Sequence, residues 1–461
     1  MTRKHHVDLA SAKSRSMTGR TVARMSLALL LFMASTSCGK SGSGPAAGSA
    51  EAGVGAQSVE IYSWWLLAGE AQGLQQVFQS FSASYPTIQL VNTAAQNHTV
   101  GYDARVDLAA RMAADNPPDA FQETGDLPTW LTTGLGIEPL DDYYTAQSWT
   151  NQIYPVLTAP TQVNGKRYAV PTDLSSQNVI YYNKSVFSAG NLTPPKTWAD
   201  FVTVAQALKA KGIAPLAMTL QGWVMRMPFD ALVLDAAPDQ SQRGQFLLDV
   251  YAGKASDGTS AKALALKTAI ANFDTLVNNY VNADWTTTDA SGNTLGWDVL
   301  SQRLAAGTVA MYLHGDWVKG YLDNMGKTAG IDYDAAFFPD GTATNTFLFN
   351  VDSFCLPVGA KNPQGAKDFI QTFLTPATQV AFSLKKGSCP VRMDADLTRL
   401  DAVAQELCGN IGSKTYQISV NEDFDSILQA AYTQGSDGGI PSSADVQDRI
   451  YRQIVAAYPP Q

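Results

Sequence analysis

The first clear hydrophobic pattern in the chain predicts a strand, a turn and a helix. Val59 and Ile61 belong to a short strand-like run that leads into two adjacent tryptophans, Trp64 and Trp65. After a turn of small residues that contains Glu70, the apolar positions recur at helical spacing. Ligands bind beyond the carboxyl ends of strands in a parallel sheet, which is where these indoles and this carboxylate lie. The alternative is that one indole belongs to the core and the other to an interface.

Strand-like and helix-like runs alternate along the rest of the chain, which predicts an α/β fold. The predicted strands are residues 59–62, 88–91, 121–122, 167–170 and 309–313, and the predicted helices are residues 71–85, 103–114 and 298–306, with a mostly helical segment at 229–281. Thr197 and Asp200 have the spacing of a capping box before a helix that ends at Gly212. Trp198 lies on the apolar face of that helix and is therefore expected in the core rather than at a ligand site.

Further aromatic and polar side chains follow apolar stretches or lie in predicted loops. These candidate ligand-binding residues are His98, Gln122, Gln221, Trp223, Asp316, Trp317, Asp352 and Lys386. An aromatic face stacks on the C–H face of a sugar ring and a carboxylate accepts hydrogen bonds from its hydroxyls, so the set suits a neutral, hydroxyl-rich ligand. Structural explanations also exist, since Trp317 could pack at a helix start, Asp352 could cap a helix and Lys386 could be a solvated charge.

The first 37 residues have the pattern of an export signal. Six basic residues precede an apolar run at residues 27–34, which is too short to span a bilayer as a helix. Small residues then lead to Cys38, in a pattern that resembles a bacterial lipoprotein signal, whose cysteine becomes the lipidated first residue. Ser35 departs from that pattern, because such signals usually carry Leu there, and plain secretion remains the alternative. Residues 38–57 are rich in Gly, Ser and Ala and predict a flexible tether.

Length and composition exclude several classes of function. A chain of 461 residues is too long for one ordinary core, so two lobes are the default expectation. After residue 37 the chain carries 26 Lys and Arg against 40 Asp and Glu, without a basic patch, which argues against nucleic acid as a partner. No other apolar segment reaches 18 residues, so the chain after the leader is not expected to span a membrane.

Sequence signals for catalysis are weak. Only His98 and His314 lie beyond residue 37, and the chain has no metalloprotease, serine-hydrolase, P-loop or dinucleotide motif. A carboxylate pair for glycoside hydrolysis stays an open alternative, because Asp and Glu are plentiful but no two stand out. No cysteine pair has zinc-ligand spacing, and neither a metal nor a cofactor is expected. We predict a disulfide between Cys389 and Cys408 and a buried thiol at Cys355, which lies in an apolar run.

Motifs in a fixed order along residues 59–392 resemble the extracellular solute-binding proteins of sugar-importing ABC transporters, in particular the glucose/mannose-type branch. They are residues 61–65 with Glu70, 116–122 (NPPDAFQ), 138–142 (EPLDD), 168–171 (YAVP), 182–184 (YNK), 194–198 (PPKTW), Gly222-Trp223, 315–317 (GDW), 352–357 (DSFCLP), 359–362 (GAKN) and 386–392 (KGSCPVR). No single motif is specific, but their order and spacing are.

The resemblance implies two α/β lobes joined by a hinge of two or three crossovers, near residues 169–171, 348–352 and 389–392. The lobes are expected to comprise residues 58–169 with 352–389 and residues 170–351 with 390–461. Matching positions imply that Trp64, Trp65 and Glu70 contact the ligand from one lobe, that Trp223, Asp316 and Trp317 do so from the other, and that Asp352 and Lys386 lie near the crossovers.

Members of this family bind one sugar in the cleft, and closure of the lobes presents it to a membrane permease. By resemblance the protein is expected to be a monomeric, non-enzymatic binder of a monosaccharide such as glucose or mannose, or of a small oligosaccharide. It would lie in the periplasm or at the cell surface, touch the membrane only through its lipid anchor, and deliver the sugar to the permease subunits of an ABC transporter. The rival hypotheses are a secreted glycoside hydrolase and a receptor subunit that senses sugar.

Three segments depart from the glucose-type branch, which often has histidine at the corresponding places. Here they read Glu123-Thr124-Gly125, Leu174-Ser175-Ser176-Gln177 and Tyr416-Gln417-Ile418. Three hydrogen-bonding side chains have therefore changed type, which leaves the fold and the sugar class in place but not the identity of the sugar.

Overall fold

The computed structural model describes residues 57–94, 101–125, 127–132, 136–255, 257–287, 294–339, 346–412, 415–417, 422–433 and 442–457. The predicted leader, the lipidation site Cys38, the tether and the candidate ligand residue His98 lie outside these residues. All structural statements below concern the described ranges.

Twelve strands form two mixed sheets and a small hairpin. The strands are β1 (Gln57–Tyr62), β2 (Ile88–Asn92), β3 (Ala120–Glu123), β4 (Gln162–Val163), β5 (Lys166–Arg167), β6 (Val170–Ser176), β7 (Val179–Asn183), β8 (Ala214–Leu216), β9 (Val309–His314), β10 (Tyr333–Phe337), β11 (Phe347–Cys355) and β12 (Thr415–Gln417). The first sheet has the order β12-β11-β3-β1-β2, with β6 also paired to β11, and the second has the order β10-β7-β9-β8. Strands β4 and β5 form the hairpin that Asn164-Gly165 predicts.

Sixteen helices surround these sheets. They are α1 (Ala68–Ser84), α2 (Gly101–Ala113), α3 (Leu127–Thr132), α4 (Asp141–Ala146), α5 (Lys184–Gly190), α6 (Trp198–Lys209), α7 (Gly222–Asp235), α8 (Arg243–Tyr251), α9 (Ala261–Tyr280), α10 (Trp297–Ala306), α11 (Trp317–Asn324), α12 (Pro363–Phe373), α13 (Pro376–Lys386), α14 (Ala402–Gly409), α15 (Glu422–Tyr432) and α16 (Ser443–Ala457). The predicted α/β fold with two lobes is confirmed, although the sheets are mixed rather than purely parallel.

The carboxyl ends of β1 and β3 lie side by side. Strand β1 pairs in parallel with both β2 and β3, and Tyr62 is in register with Phe121. Trp64 and Trp65, which follow β1, therefore emerge beside the end of β3, at the edge where parallel strands present ligand-binding loops. The sequence pattern predicts this placement from the strand-to-helix transition alone.

A long antiparallel ladder between β6 and β11 lies within the first sheet, and the chain passes from β6 directly to the second sheet. Its register runs from Phe354 opposite Val170 to Phe349 opposite Ser176, and an irregularity interrupts it between Asp352 and Ser353. Two residues separate the end of β6 from the start of β7 in the second sheet. The predicted lobe boundaries at residues 169/170 and 351/352 lie at one end of this ladder and within it.

Local sequence signals explain several helix starts and the position of Trp198. The predicted capping box is present, with the Thr197 side chain accepting from the backbone N–H of Asp200 and the Asp200 side chain accepting from that of Thr197. Trp198 is half-buried, stacks on Phe201 at 5.4 Å and packs against the buried cluster of the second sheet.

The cysteines are arranged as predicted. Cys389 and Cys408 form a disulfide, which joins the segment after α13 to α14. Cys355 is a free, fully buried thiol at the end of β11. The crosslink closes a loop of 19 residues. Because it restricts the unfolded chain, it should stabilise the folded protein by about 3 kcal/mol.

Candidate functional site

A cavity of about 260 Å³ lies between the loops that follow the strands of the two sheets. Its volume is at the lower end of the range for small-molecule sites, which is roughly 300–1,000 Å³. Seven of the candidate ligand-binding residues line it, namely Trp64, Trp65, Glu70, Trp223, Trp317, Asp352 and Lys386. The cavity thus brings together residues that are more than 300 positions apart in the sequence.

The two adjacent tryptophans of the first sheet have different environments. Trp65 is 1% exposed, and its ring lies 4.9 Å from that of Phe382 and within 6.2 Å of those of Phe354 and Phe373. Trp64 is half-buried, and the guanidinium of Arg105 lies 5.7 Å from its ring centre. Trp65 is thus enclosed mainly by core rings, although both indoles line the cavity.

Three tryptophans form the wall of the cavity on the side of the second sheet. Trp223 is the second residue of α7, Trp317 is the first residue of α11, and Trp297 is the first residue of α10. The rings of Trp223 and Trp317 lie 6.3 Å apart. Trp297 was not among the predicted ligand residues, although Gly296-Trp297 repeats at a helix start the Gly222-Trp223 pattern.

Lys386 is the central charge below this cavity. Its ammonium lies 3.4 Å from Oδ2 of Asp173 and 3.9 Å from Oε1 of Glu70, donates to Oγ of Ser175 at 3.2 Å, and is 5.1 Å from the ring centre of Trp317. The side chain is 1% exposed, so its charge is balanced by these carboxylates rather than by water.

Burial and mutual repulsion change the acidity of the carboxyls around Lys386. Burial raises the pKa of Glu70 to about 8 and that of Asp352 to about 7, although Lys386 opposes both shifts. Burial likewise raises the pKa of Asp316 well above its ordinary value. Burial alone would lower the pKa of Lys386, but the surrounding carboxylates, Asp173 first among them, raise it overall. At neutral pH the cluster therefore holds a charged lysine and at least one protonated acid.

Three candidate residues lie outside the cavity wall. Gln122 is fully buried, where it donates to Asp352 Oδ1 at 2.8 Å and accepts from Ser63 Oγ at 2.7 Å. Asp316 is 1% exposed and accepts from the backbone N–H of Ser176 at 2.6 Å. Gln221 precedes α7 and is not among the lining residues. The hydrogen bonds of Gln122, and that of Asp316 Oδ2, are thus made to groups of the protein itself.

Several lining residues had no individual sequence signal. Gln177 donates to Asn350 Oδ1 at 2.7 Å, Asn350 donates to Thr124 Oγ1 at 3.4 Å, and all three line the cavity. Thr124 and Gln177 belong to two of the three segments in which histidine is replaced, so those departures do lie at the cavity. The other lining residues that the sequence analysis did not name are Leu67, Arg105, Arg226, Met227 and Asp425.

The cationic groups of the lining face carboxyl groups of the protein. Arg226 contacts Asp425 at 2.7 Å, and Lys386 lies 3.4 Å from Asp173 and 3.9 Å from Glu70. A cavity of this composition, with aromatic faces and paired charges, favours an uncharged polar ligand over an ion.

Neither a membrane-spanning helix nor a metal-binding cluster is found among the described residues. Within the described ranges, no helix combines the length and the apolar character that crossing a bilayer requires. In the same part of the chain, no group of three or more His, Cys, Asp or Glu side chains is arranged to hold a metal ion.

Known proteins share both the sequence pattern and the fold. One relative is an uncharacterized ABC transporter extracellular-binding protein from Pyrococcus horikoshii, 28% identical over 77% of both chains. Another is the probable sugar-binding periplasmic protein of Brucella suis, 27% identical over 77% of this chain and 80% of that one.

Among solved structures, the bacterial solute receptor AcbH superposes with a TM-score of 0.68 at 16% identity, over 88% of this chain and all of that one. A chitin oligosaccharide binding protein superposes with a TM-score of 0.65 at 21% identity, over 87% of this chain and 99% of that one. At these identities the superpositions show the fold alone. Residues 63–406 also match the family model described as bacterial extracellular solute-binding protein. Because that match spans most of the chain, this protein belongs to the bacterial extracellular solute-binding proteins.

Proposed function

We propose that this protein captures a sugar in the cavity described above and delivers it to the permease of an ABC transporter, without chemical conversion. The observation that carries the proposal is the arrangement of Trp64, Trp223, Trp297 and Trp317 around one cavity that also presents amide and hydroxyl groups. Indole faces cover the C–H faces of a sugar ring, while Gln177, Asn350 and Thr124 serve its hydroxyls. Relatives named as sugar-binding proteins support the same class of ligand.

The small cavity favours a monosaccharide such as glucose or mannose, or at most a small oligosaccharide. Trp64 follows β1 of the first sheet, whereas the other three tryptophans lie at helix starts on the side of the second sheet. Both faces of a sugar ring are therefore covered only when the lobes are close. We take residues 58–169 with 352–389 as one lobe and residues 170–351 with 390–461 as the other. Closure about the β6/β11 ladder would then present the loaded protein to the permease.

The proposed location is the periplasm or the cell surface, with the lipidated Cys38 and the following tether holding a monomer at the membrane. Cys38→Ser should release the protein from the membrane fraction and leave sugar binding unchanged. Finding the wild-type protein wholly in the soluble fraction would contradict the anchor but not the binding function.

A calorimetric titration of the protein with single sugars tests the function. Glucose, mannose, galactose and a disaccharide should be compared, with Trp223→Ala as the binding-defective variant. At least one sugar should bind the wild-type protein and raise its melting temperature, since a ligand that binds only the folded state stabilises it. Absence of binding across the panel would exclude a sugar receptor of this class.

The hydrolase hypothesis makes a different prediction from the same protein. Glu70 and Asp352 are both carboxyls at the cavity, but Lys386 and Gln122 engage them from inside the protein. Incubation with disaccharides should therefore yield no monosaccharide. A sensing role rather than transport would be indicated if the loaded protein stimulated no permease ATPase activity in reconstituted vesicles.

A further inference from the structure

His314 was one of two histidines singled out in the sequence, and the proposed sugar contacts do not use it. It is the last residue of β9 and is completely buried. It does not line the cavity, but three of the tryptophans that do so surround it. A buried titratable ring in direct contact with the binding wall needs a physical explanation.

The ring of His314 contacts all three tryptophans of that wall. Its centre lies 5.1 Å from that of Trp317 and 5.2 Å from that of Trp223, in both cases nearly perpendicular, at 88° and 77°. Trp297 is stacked on it at 6.3 Å with an interplanar angle of 24°. Among the ring contacts of the described residues, no other ring touches all three indoles, so His314 is their common neighbour.

The imidazole is held without conventional hydrogen bonds. Within the described part of the chain, neither Nδ1 nor Nε2 has a hydrogen-bond partner. Burial lowers the pKa of His314 to about 3, so the ring is neutral at physiological pH. An uncompensated polar group is costly in a core, and an aliphatic side chain at this position would avoid that cost.

The perpendicular contacts give the polar ring a specific use. An aromatic face carries partial negative charge and a ring edge partial positive charge, so edge-to-face pairs have a preferred orientation that aliphatic contacts lack. An imidazole edge directed at an indole face is also a weak N–H···π donor. The imidazole makes two such near-perpendicular contacts, with Trp223 and Trp317, and one near-parallel contact with Trp297, so this single ring can orient all three indoles.

The backbone next to His314 is adapted to the same arrangement. Gly315 separates His314 from the start of α11, and a Cβ at Gly315 would overlap the ring of Trp317. The absence of a side chain at Gly315 lets the Trp317 ring fold back toward β9. The position of Trp317 thus depends on His314, which contacts its ring, and on Gly315, which leaves room for it.

We propose that His314 is a positioning residue, which sets the spacing and orientation of Trp223, Trp297 and Trp317 as stacking surfaces for the sugar. The proposal rests on the proposed function for its consequence in binding. It does not depend on that function for the geometry of the free protein. In this proposal a residue behind the cavity wall, His314, fixes the arrangement of the aromatic side chains that form the wall.

The test compares His314→Leu and His314→Phe with Leu313→Ala as a matched control. Leu313 is the preceding residue of β9, buried in the second cluster, and its side chain points to the opposite face of the sheet. All four proteins are compared by near-ultraviolet circular dichroism without ligand, by melting temperature and by calorimetric titration with the sugar that binds the wild-type protein.

His314→Leu should change the tryptophan bands of the free protein and weaken sugar binding by roughly tenfold or more, because loosened aromatic anchors must be ordered on binding. His314→Phe keeps a flat ring with a positive edge and should retain more of both properties. Leu313→Ala should lower the melting temperature but leave the bands and the affinity unchanged.

The proposal is overturned if His314→Leu keeps the wild-type bands and affinity, or if Leu313→Ala loses affinity to the same extent at equal loss of melting temperature. If no sugar binds the wild-type protein, the proposed function fails, and the bands of the free variants still decide the positioning role. The two failures are therefore distinguishable.

Discussion

The ammonium of Lys386 lies 3.4 Å from Oδ2 of Asp173, with the lysine side chain 1% exposed and the aspartate side chain fully buried. Lys386 ends α13 and Asp173 lies on β6, so this contact joins a helix to a strand of the first sheet. Glu70 approaches the same ammonium from α1. A single buried cation on α13 therefore contacts carboxyls from two other segments, β6 and α1, at the base of the cavity.

Removal of that cation should destabilise the ligand-free protein. Lys386→Met leaves Asp173 buried without its counter-charge, and breaking a buried pair in this way typically costs about 3–5 kcal/mol. Lys385→Met is the matched control, because Lys385 is the preceding residue and is exposed, and surface changes usually stay within about 0.5 kcal/mol. Urea denaturation of both variants measures the difference. Equal midpoints would show that Lys386 does not hold these segments together.

Glu70 should make the protein less stable as the pH rises. Burial raises its pKa from 4.5 to about 8, so the folded protein holds a proton that the unfolded chain releases across this range. The unfolded state then binds fewer protons, and the free energy of unfolding falls between pH 4.5 and 8. Glu70→Gln removes this dependence. The free energy of unfolding of this variant, relative to that of the wild-type protein, should therefore be higher at pH 9 than at pH 5. Denaturation at both pH values, with the exposed Glu138→Gln as control, checks the sign; a constant difference would contradict it.

Trp223 and Trp198 should respond oppositely to replacement by alanine. Trp223 lines the cavity, and loss of an aromatic anchor at a binding site typically costs about 2 kcal/mol or more, roughly thirtyfold in affinity. Trp198 packs on Phe201 away from the cavity, so Trp198→Ala should lower the melting temperature and leave sugar binding unchanged. Trp65→Ala should mainly lose folding stability, by about 3–5 kcal/mol, because its ring is enclosed in the core. Normal binding by Trp223→Ala would show that the ligand lies elsewhere.

Gly320 should be needed for the closed arrangement of the lobes. It lies within α11, and a Cβ there would overlap the carbonyl oxygens of Lys385 and Lys386 at the end of α13. Gly69 on α1 is equally close, since its Cβ would meet the backbone of Gly320. Gly320→Ala should thus weaken sugar binding by roughly tenfold or more, although alanine favours the helix itself.

Gly409→Ala is the control for Gly320, because nothing lies within 4 Å of a Cβ at Gly409. Small-angle scattering with saturating sugar should show a larger radius of gyration for Gly320→Ala than for wild type. Wild-type affinity together with an unchanged radius would mean that these backbones do not limit closure.

Local patterns in the sequence were sufficient for the elements that depend on near neighbours. The spacing of apolar positions predicts β1 and α1, and the Thr197–Asp200 spacing predicts the start of α6. These signals depend only on residues a few positions apart. The placement of Trp64 and Trp223 at the cavity also follows from sequence, since each comes directly after a strand or an apolar stretch and at a helix start.

Tertiary structure alone decided how the neighbouring residues divide between core and cavity. Trp65 is enclosed by Phe354, Phe373 and Phe382, which lie about 300 residues away in the chain and have no local relationship to it. The Lys386 cluster likewise forms only where α13, β6 and α1 meet, and the shifted pKa of Glu70 depends on that meeting. The exposure of Trp65 and the pKa of Glu70 are set by atoms that are distant in sequence and close in space, so periodicity along the chain cannot predict them.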